Sequence, residues 1–158
     1  MRQRIFPLCL AALLLGSTVI GAEPERLELV VVVHKSSSLQ TLSADELRNI
    51  FLGEKSVWPD GRKIVPAAFG PGSPELRAFL KNICRMSEAD YKRYFIQMSF
   101  EGKPVVQPRI LNSSSAVRAL VSASPGAIGL LHPNEVDSSV AVVRLDGAMR
   151  KSRAGASR

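Results

Sequence analysis

Apolar residues recur along the chain in two patterns, as short continuous runs and as stripes at helical spacing. The runs are rich in β-branched residues, which is typical of strands that are covered on both faces. They predict strands at residues 27–34, 64–69, 127–131 and 140–145. The stripes repeat every three or four residues and follow a serine or a serine cluster, which is typical of helix starts. They predict helices that begin at residues 44, 74, 88 and 116.

The order of these elements is β-α-β-α-α-α-β-β. This alternation predicts an α/β domain with three layers, a single lobe built on a mixed, mostly parallel sheet. Residues 99–110 contain Gly102, Pro104 and Pro108 and are predicted to form a long irregular connection. A chain of 158 residues has length for one ordinary domain.

The N-terminal 22 residues read as a secretory signal peptide. Arg2 and Arg4 precede an uncharged apolar run over 5–20, and Ala22 is a small residue at the expected cleavage point. The alternative is an uncleaved anchor, but the run is shorter than the roughly 18–20 residues that span a bilayer comfortably. We expect cleavage, periplasmic or secreted localisation, and no stable membrane insertion afterwards.

Most of the net positive charge lies at the two ends of the chain. The formal net charge is +7, but the signal peptide contributes two bases and residues 148–158 contribute four bases and no acid. The predicted domain, residues 23–147, is therefore almost neutral, and the tail at 148–158 is predicted to be basic and disordered. A nearly neutral body without interleaved basic and aromatic residues argues against nucleic acid as a partner.

The chain offers little material for catalysis or metal binding. His34 and His132 lie far apart, and Cys84 is the one cysteine after the signal peptide. Cys84 lies among apolar residues on a predicted helix, where a buried, inert thiol is favoured over a reactive one. His34 is close to Ser36, but no motif supplies the carboxylate of a triad. We expect no enzyme activity, no metal and no cofactor.

Two motifs resemble one known family. Residues 42–53 (LSADELRNIFLG) precede WPDG at 58–61, and SPGAIGL follows at 124–130. Both resemble segments of phosphate ABC-transporter substrate-binding proteins, of the type 2 periplasmic binding protein class, and the resemblance extends over residues 30–143. Members of this family close two lobes on their ligand. This chain has length for one lobe and resembles the short, single-domain members.

The resemblance and the chemistry of helix starts indicate a candidate anion site. A helix N-terminus presents free N–H donors, and open α/β sheets bind ligands beyond the carboxyl ends of their strands. Three polar segments occupy such places, and their candidate ligand-binding residues are Lys35, Ser36, Ser37, Gly72, Ser73, Asn112, Ser113 and Ser114. For each segment the alternative is an ordinary capped or polar loop.

Three residues depart from the family's pattern at the first of these helix starts. Phe69 stands near the place of the family's arginine, Pro74 has no N–H to donate, and Glu75 adds a negative charge. The leading hypothesis remains an exported solute-binding protein that holds a small oxyanion such as phosphate, alone or with a second lobe in trans. The alternative is a non-catalytic interaction module of the cell envelope that has lost its ligand and binds an envelope protein.

Two further features leave a choice open between function and structure. Arg77, Lys81 and Arg85 are spaced by four residues, which suits either an acidic partner or an ordinary solvated helix face. Trp58 in its turn is either a recognition platform or, as we favour, a packing plug beside the core.

Overall fold

The structure, a computed structural model, describes residues 27–146. The predicted signal peptide at 1–22 and the predicted tail at 148–158 lie outside these residues. The strands are β1 Val30–His34, β2 Thr41–Ser43, β3 Val65–Phe69, β4 Arg109–Leu111, β5 Ala127–Leu131 and β6 Val140–Asp146. The helices are α1 Ala44–Phe51, α2 Pro74–Phe79, α3 Glu88–Phe100 and α4 Ser114–Ala123, and a π-helical turn, Leu80–Cys84, continues α2. In the described part of the chain, no helix is long and apolar enough to cross a membrane.

Six strands form one mixed sheet in the order β2-β6-β1-β5-β3-β4. The β2–β6, β3–β5 and β3–β4 pairs are parallel, whereas β1 runs antiparallel to both β5 and β6. The predicted α/β class with a mixed, mostly parallel sheet is therefore confirmed. β1 lies inside the sheet, and its central residues Val31–Val33 are fully buried, as its continuous apolar run predicts.

Helices cover both faces of the sheet. On one face, α4 approaches β5 so closely that a Cβ placed on Gly129 would lie 2.6 Å from Cγ1 of Val117. A glycine at this position is what allows the helix to lie so near the strand. On the other face, Leu130 of β5 lies beside Leu47 of α1 and Phe79 of α2. The domain thus has the three layers that the sequence predicts.

Serine caps start all four helices. The hydroxyls of Ser43, Ser73, Ser87 and Ser113 each accept the backbone N–H three residues further on, at 3.0–3.2 Å. This is the usual N-cap bond, and it satisfies one of the donors that a helix start leaves free. The predicted helix starts at 44, 74 and 88 are confirmed, whereas α4 begins at Ser114, two residues before its predicted start.

Two short strands and one helix break are present in the structure and were not predicted from the sequence. β2 and β4 have three residues each, too few to show alternation, and β4 lies next to Pro108 at the end of the segment predicted to be irregular. The helix predicted to begin at residue 74 is α-helical only to Phe79. The π-helical turn then ends at Arg85, which has a φ of 56° in the left-handed region.

The core joins α1 to the layer formed by α2 and α3. The rings of Phe51 and Phe79 have centroids 4.6 Å apart, and the Tyr91 hydroxyl donates to the carbonyl of Phe51 at 2.8 Å. Cys84 is 2% exposed, which confirms the buried thiol. Burial raises the pKa of the Cys84 thiol to about 12.

Trp58 is the packing plug that the sequence favours. It is 9% exposed, and its indole Nε1 donates to the carbonyl of Gly126 at 3.0 Å. The Lys55 ammonium lies 5.9 Å from the ring centroid. The indole therefore ties the loop before β3 to the loop before β5.

The buried thiol predicts a loss of stability at alkaline pH. The unfolded thiol ionises near its ordinary pKa of 9.0, whereas the native thiol keeps its proton to about pH 12. Between these values the unfolded state alone loses the proton, so the free energy of unfolding falls by about 1.4 kcal/mol per pH unit. Urea unfolding from neutral pH to pH 11 should show this extra slope in the wild type and not in Cys84→Ala. Equal slopes for the two proteins would contradict it.

The left-handed backbone of Arg85 predicts that glycine at this position would stabilise the protein. A non-glycine residue in the left-handed region costs about 1–2 kcal/mol, and glycine at such a helix end avoids that cost. Glycine also gives the unfolded chain more freedom, worth about 0.4–1 kcal/mol. Arg85→Gly should therefore raise the free energy of unfolding by about 0.5–1 kcal/mol in urea denaturation. Arg77→Gly, inside α2, is the control and should lower it.

Candidate functional site

A cleft of about 410 Å³ opens at the carboxyl ends of β3 and β4. The two strands are parallel neighbours, with Phe69 opposite Leu111, so the loops that follow them start side by side. The Gly70 N–H donates to the carbonyl of Leu111 at 3.1 Å and holds the loops together. The loop after β3 leads to α2 and the loop after β4 leads to α4. The N-termini of two helices therefore border one cleft.

Five of the predicted site residues line this cleft. Gly72 and Ser73 come from the loop before α2, and Asn112, Ser113 and Ser114 come from the start of α4. The sequence placed these residues at two helix starts but gave no reason for the starts to be neighbours. The parallel pairing of β3 with β4 supplies that reason.

The remaining predicted site residues lie at the opposite edge of the sheet. Lys35, Ser36 and Ser37 follow β1, and β1 runs antiparallel to β5, which is itself parallel to β3. The carboxyl end of β1 therefore points away from the cleft, and these three residues lie apart from the other five. At that edge Ser37 borders a separate depression of about 400 Å³ beside Trp58.

The α4 side of the cleft has the chemistry that suits an anion. The Ser113 hydroxyl accepts the Ala116 N–H at 3.2 Å and lies 3.0 Å from the Ser115 hydroxyl. The first N–H groups of a helix have no partner within the helix, and the helix dipole places partial positive charge there. Ser113 and Asn112 are exposed and Ser114 is half-buried, so these groups are accessible from the cleft.

The α2 side is already occupied by the protein's own carboxylate. The Gly72 N–H donates to Oε2 of Glu88 at 2.9 Å, and Ser73 uses its hydroxyl to cap Leu76. The next residue, Pro74, has no N–H. This side of the cleft is therefore less suited to an anion than the α4 side.

A carboxylate that lines the cleft is paired with a histidine. Glu75, in the first turn of α2, has Oε1 at 3.1 Å from Nε2 of His132, and the two side chains are 18% and 25% exposed. Glu75 is recognisable in the sequence as a negative charge at the helix start, whereas its partner His132 was not predicted. The available signal was that His132 directly follows β5 and Glu75 closely follows β3, two strands whose carboxyl ends meet at one edge.

The close packing of the two loops depends on Gly70. A Cβ on Gly70 would lie 2.8 Å from Oδ1 of Asn112, so a larger residue would displace the Asn112 side chain from its place in the cleft. Within residues 27–146 no group of three or more histidine, cysteine or acidic residues is arranged to hold a metal ion.

No family model matches the sequence. Solved structures share its fold. A putative phosphate ABC transporter substrate-binding protein with bound phosphate from Clostridium perfringens has a TM-score of 0.61 and 24% identity. An ABC-type phosphate transport receptor from Vibrio cholerae has a TM-score of 0.60 and 19% identity. PstS from Borrelia burgdorferi has a TM-score of 0.60 and 12% identity.

These alignments cover 75% of this chain and only 45%, 46% and 47%, respectively, of the compared chains. The chain therefore spans less than half the length of the proteins that it matches. Over the aligned residues it shares the fold of the compared proteins, which is the fold that the two sequence motifs imply. At these identities the likeness establishes the fold and leaves the ligand to be tested.

Ser113 should tolerate glycine better than alanine. Replacement of an N-cap serine by alanine costs about 1 kcal/mol, whereas glycine costs only a few tenths. Ser113→Ala should therefore lower the free energy of unfolding by about 1 kcal/mol in urea denaturation, and Ser113→Gly by much less. If both substitutions leave stability unchanged, the Ser113–Ala116 bond does not stabilise α4.

Proposed function

We propose that this chain is a non-catalytic solute-binding lobe that holds a small oxyanion, such as phosphate, in the cleft between the starts of α2 and α4. The observation that supports this most directly is the convergence of Gly72, Ser73, Asn112, Ser113 and Ser114 beyond two parallel strands. That is the place where open α/β sheets bind their ligands. The phosphate bound in the Clostridium perfringens structure supports the choice of oxyanion.

The oxyanion would bind mainly through α4. The free N–H groups at the start of that helix would donate to it, and the hydroxyls of Ser113 and Ser114 would add donors from the side. On the α2 side, Glu75 lines the cleft and Glu88 accepts the Gly72 N–H, and these two carboxylates reduce the attraction. We therefore expect weak binding, with a dissociation constant on the order of micromolar to millimolar.

The proposal includes export and a role in transport or sensing. Export follows from the predicted signal peptide at residues 1–22, and the transport role is supported by the names of the compared proteins. A single lobe covers one side of a ligand, so a second lobe or chain that closes over the cleft would strengthen binding. The alternative is an envelope interaction module that has lost its ligand.

Calorimetric titration of the exported form with phosphate tests the site. We expect saturable heat, and we expect the double variant Ser113→Gly/Ser114→Ala to weaken binding about ten-fold, because it deletes two hydroxyl donors and keeps a good helix start. The matched control is Ser43→Gly, which alters the cap of α1 next to β2, at the far end of the sheet from β4.

The outcomes separate the two hypotheses. Equal loss of affinity in the Ser43 control would place the effect in general stability and not in the cleft. Absence of heat with phosphate, sulfate and an organic phosphate at millimolar concentration would overturn the oxyanion proposal and favour the interaction module.

A further inference from the structure

A second concave surface lies between the π-helical turn and the start of α3. This basic groove, as we call it, has a volume of about 840 Å³ and is larger than the cleft. Leu80, Met86 and Ala89 supply apolar atoms to it, and Arg77, Lys81 and Arg85 line it as well. The three basic residues are those that stand four apart in the sequence. The proposed oxyanion site uses none of them.

The basic residues of the groove have no acidic partner among residues 27–146. Arg77, Lys81 and Arg85 are all exposed, and none forms an ion pair in the described part of the chain. Five other lysines and arginines do form such pairs, among them Lys55 and Arg118. Within residues 27–146, therefore, no acidic side chain pairs with the three basic residues of the groove.

The acidic residues on the opposite wall of the groove are already engaged. Glu88 accepts the Gly72 N–H at 2.9 Å, toward the cleft. Asp90 accepts the Ser87 hydroxyl at 2.7 Å and pairs with Arg93 at 3.2 Å. Both carboxylates therefore bond to groups other than the side chains of Arg77, Lys81 and Arg85.

The break in the helix brings the basic residues onto one side. An α-helix has about 3.6 residues per turn, so a step of four residues is slightly more than one turn. Side chains spaced by four residues therefore shift gradually around the helix axis. A π-helical turn has more residues per turn than an α-helix, so a step of four residues there is less than one turn. The turn at residues 80–84 therefore shifts the next side chain back in the opposite direction. Arg85 then adopts a left-handed conformation that is costly for an arginine, and its side chain lines the groove with the other two.

We propose that the basic groove binds an acidic segment of a partner protein. The carboxylates of that segment would pair with Arg77, Lys81 and Arg85, and an apolar side chain between them would contact Met86 and Ala89, which are half-buried and exposed, respectively. Guanidinium groups suit carboxylates because they can donate two parallel hydrogen bonds. An anionic membrane fits less well, because membrane binding needs apolar side chains that project outward, whereas Leu80 is 1% exposed.

A synthetic acidic peptide tests the groove without knowledge of the natural partner. The probe is a fluorescein-labelled peptide of sequence EELEELEE, and the measurement is fluorescence anisotropy with the whole exported protein. We expect saturable binding that weakens with salt, and no binding of the uncharged analogue QQLQQLQQ. The double variant Arg77→Glu/Lys81→Glu should weaken binding at least about ten-fold.

The control has the same change of charge at a different place. Lys63→Glu/Arg144→Glu alters two exposed residues that also lack ion pairs within 27–146 and do not line the groove. We expect this variant to change the affinity by less than about two-fold. Equal weakening by both double variants would mean attraction by net charge alone and would overturn the proposal, as would failure of the wild type to bind EELEELEE.

Arg85→Gly separates binding from stability. We expect this variant to unfold at higher denaturant concentration than the wild type and yet to bind the peptide more weakly. If the affinity for the peptide is unchanged, Arg85 does not contact the peptide, and its assigned role in the basic groove is wrong. Sedimentation with phosphatidylglycerol vesicles tests a membrane as the alternative ligand. If the protein binds vesicles through Arg77 and Lys81 and does not bind the peptide, the groove is a membrane-binding surface and the proposal is overturned.

Discussion

The relative directions of the strands determine at which edge of the sheet each polar loop lies. β1 runs against both of its neighbours in the interior of the sheet, so its carboxyl end and that of β5 lie at opposite edges. β3, β4 and β5 are parallel to one another, so the loops that follow them gather at one edge. There Ser73 and Ser113 line the cleft, and His132 pairs with Glu75. The polar loop after β1 lies at the other edge, however suitable its serines are for an anion.

Much of the fold was predictable because its signals are local. A serine cap depends on residues three apart, and the apolar run of β1 reports burial on both faces directly. Both signals gave correct elements. The short strands β2 and β4 were not predictable, because three residues show no period and their formation depends on a partner strand that is distant in the sequence.

The candidate site was predictable in its parts and not in its assembly. Gly72, Ser73 and the serines before α4 were recognisable as helix starts, since capping preferences are local. Whether two such starts meet depends on the order and direction of the strands, and the direction of β1 decides that Lys35 does not join them. The pair between Glu75 and His132 and the bond from Gly72 to Glu88 are equally non-local, because they join residues 57 and 16 positions apart.

Trp58 has a consequence for how this domain can be followed in solution. It is the one tryptophan in the chain, and its indole is fixed by the bond to Gly126, at the edge of the sheet opposite the cleft. Its emission therefore reports whether two loops distant in sequence remain joined. A ligand that enters the cleft would leave that spectrum nearly unchanged, whereas separation of the two loops would expose the ring to water and shift the emission to longer wavelength.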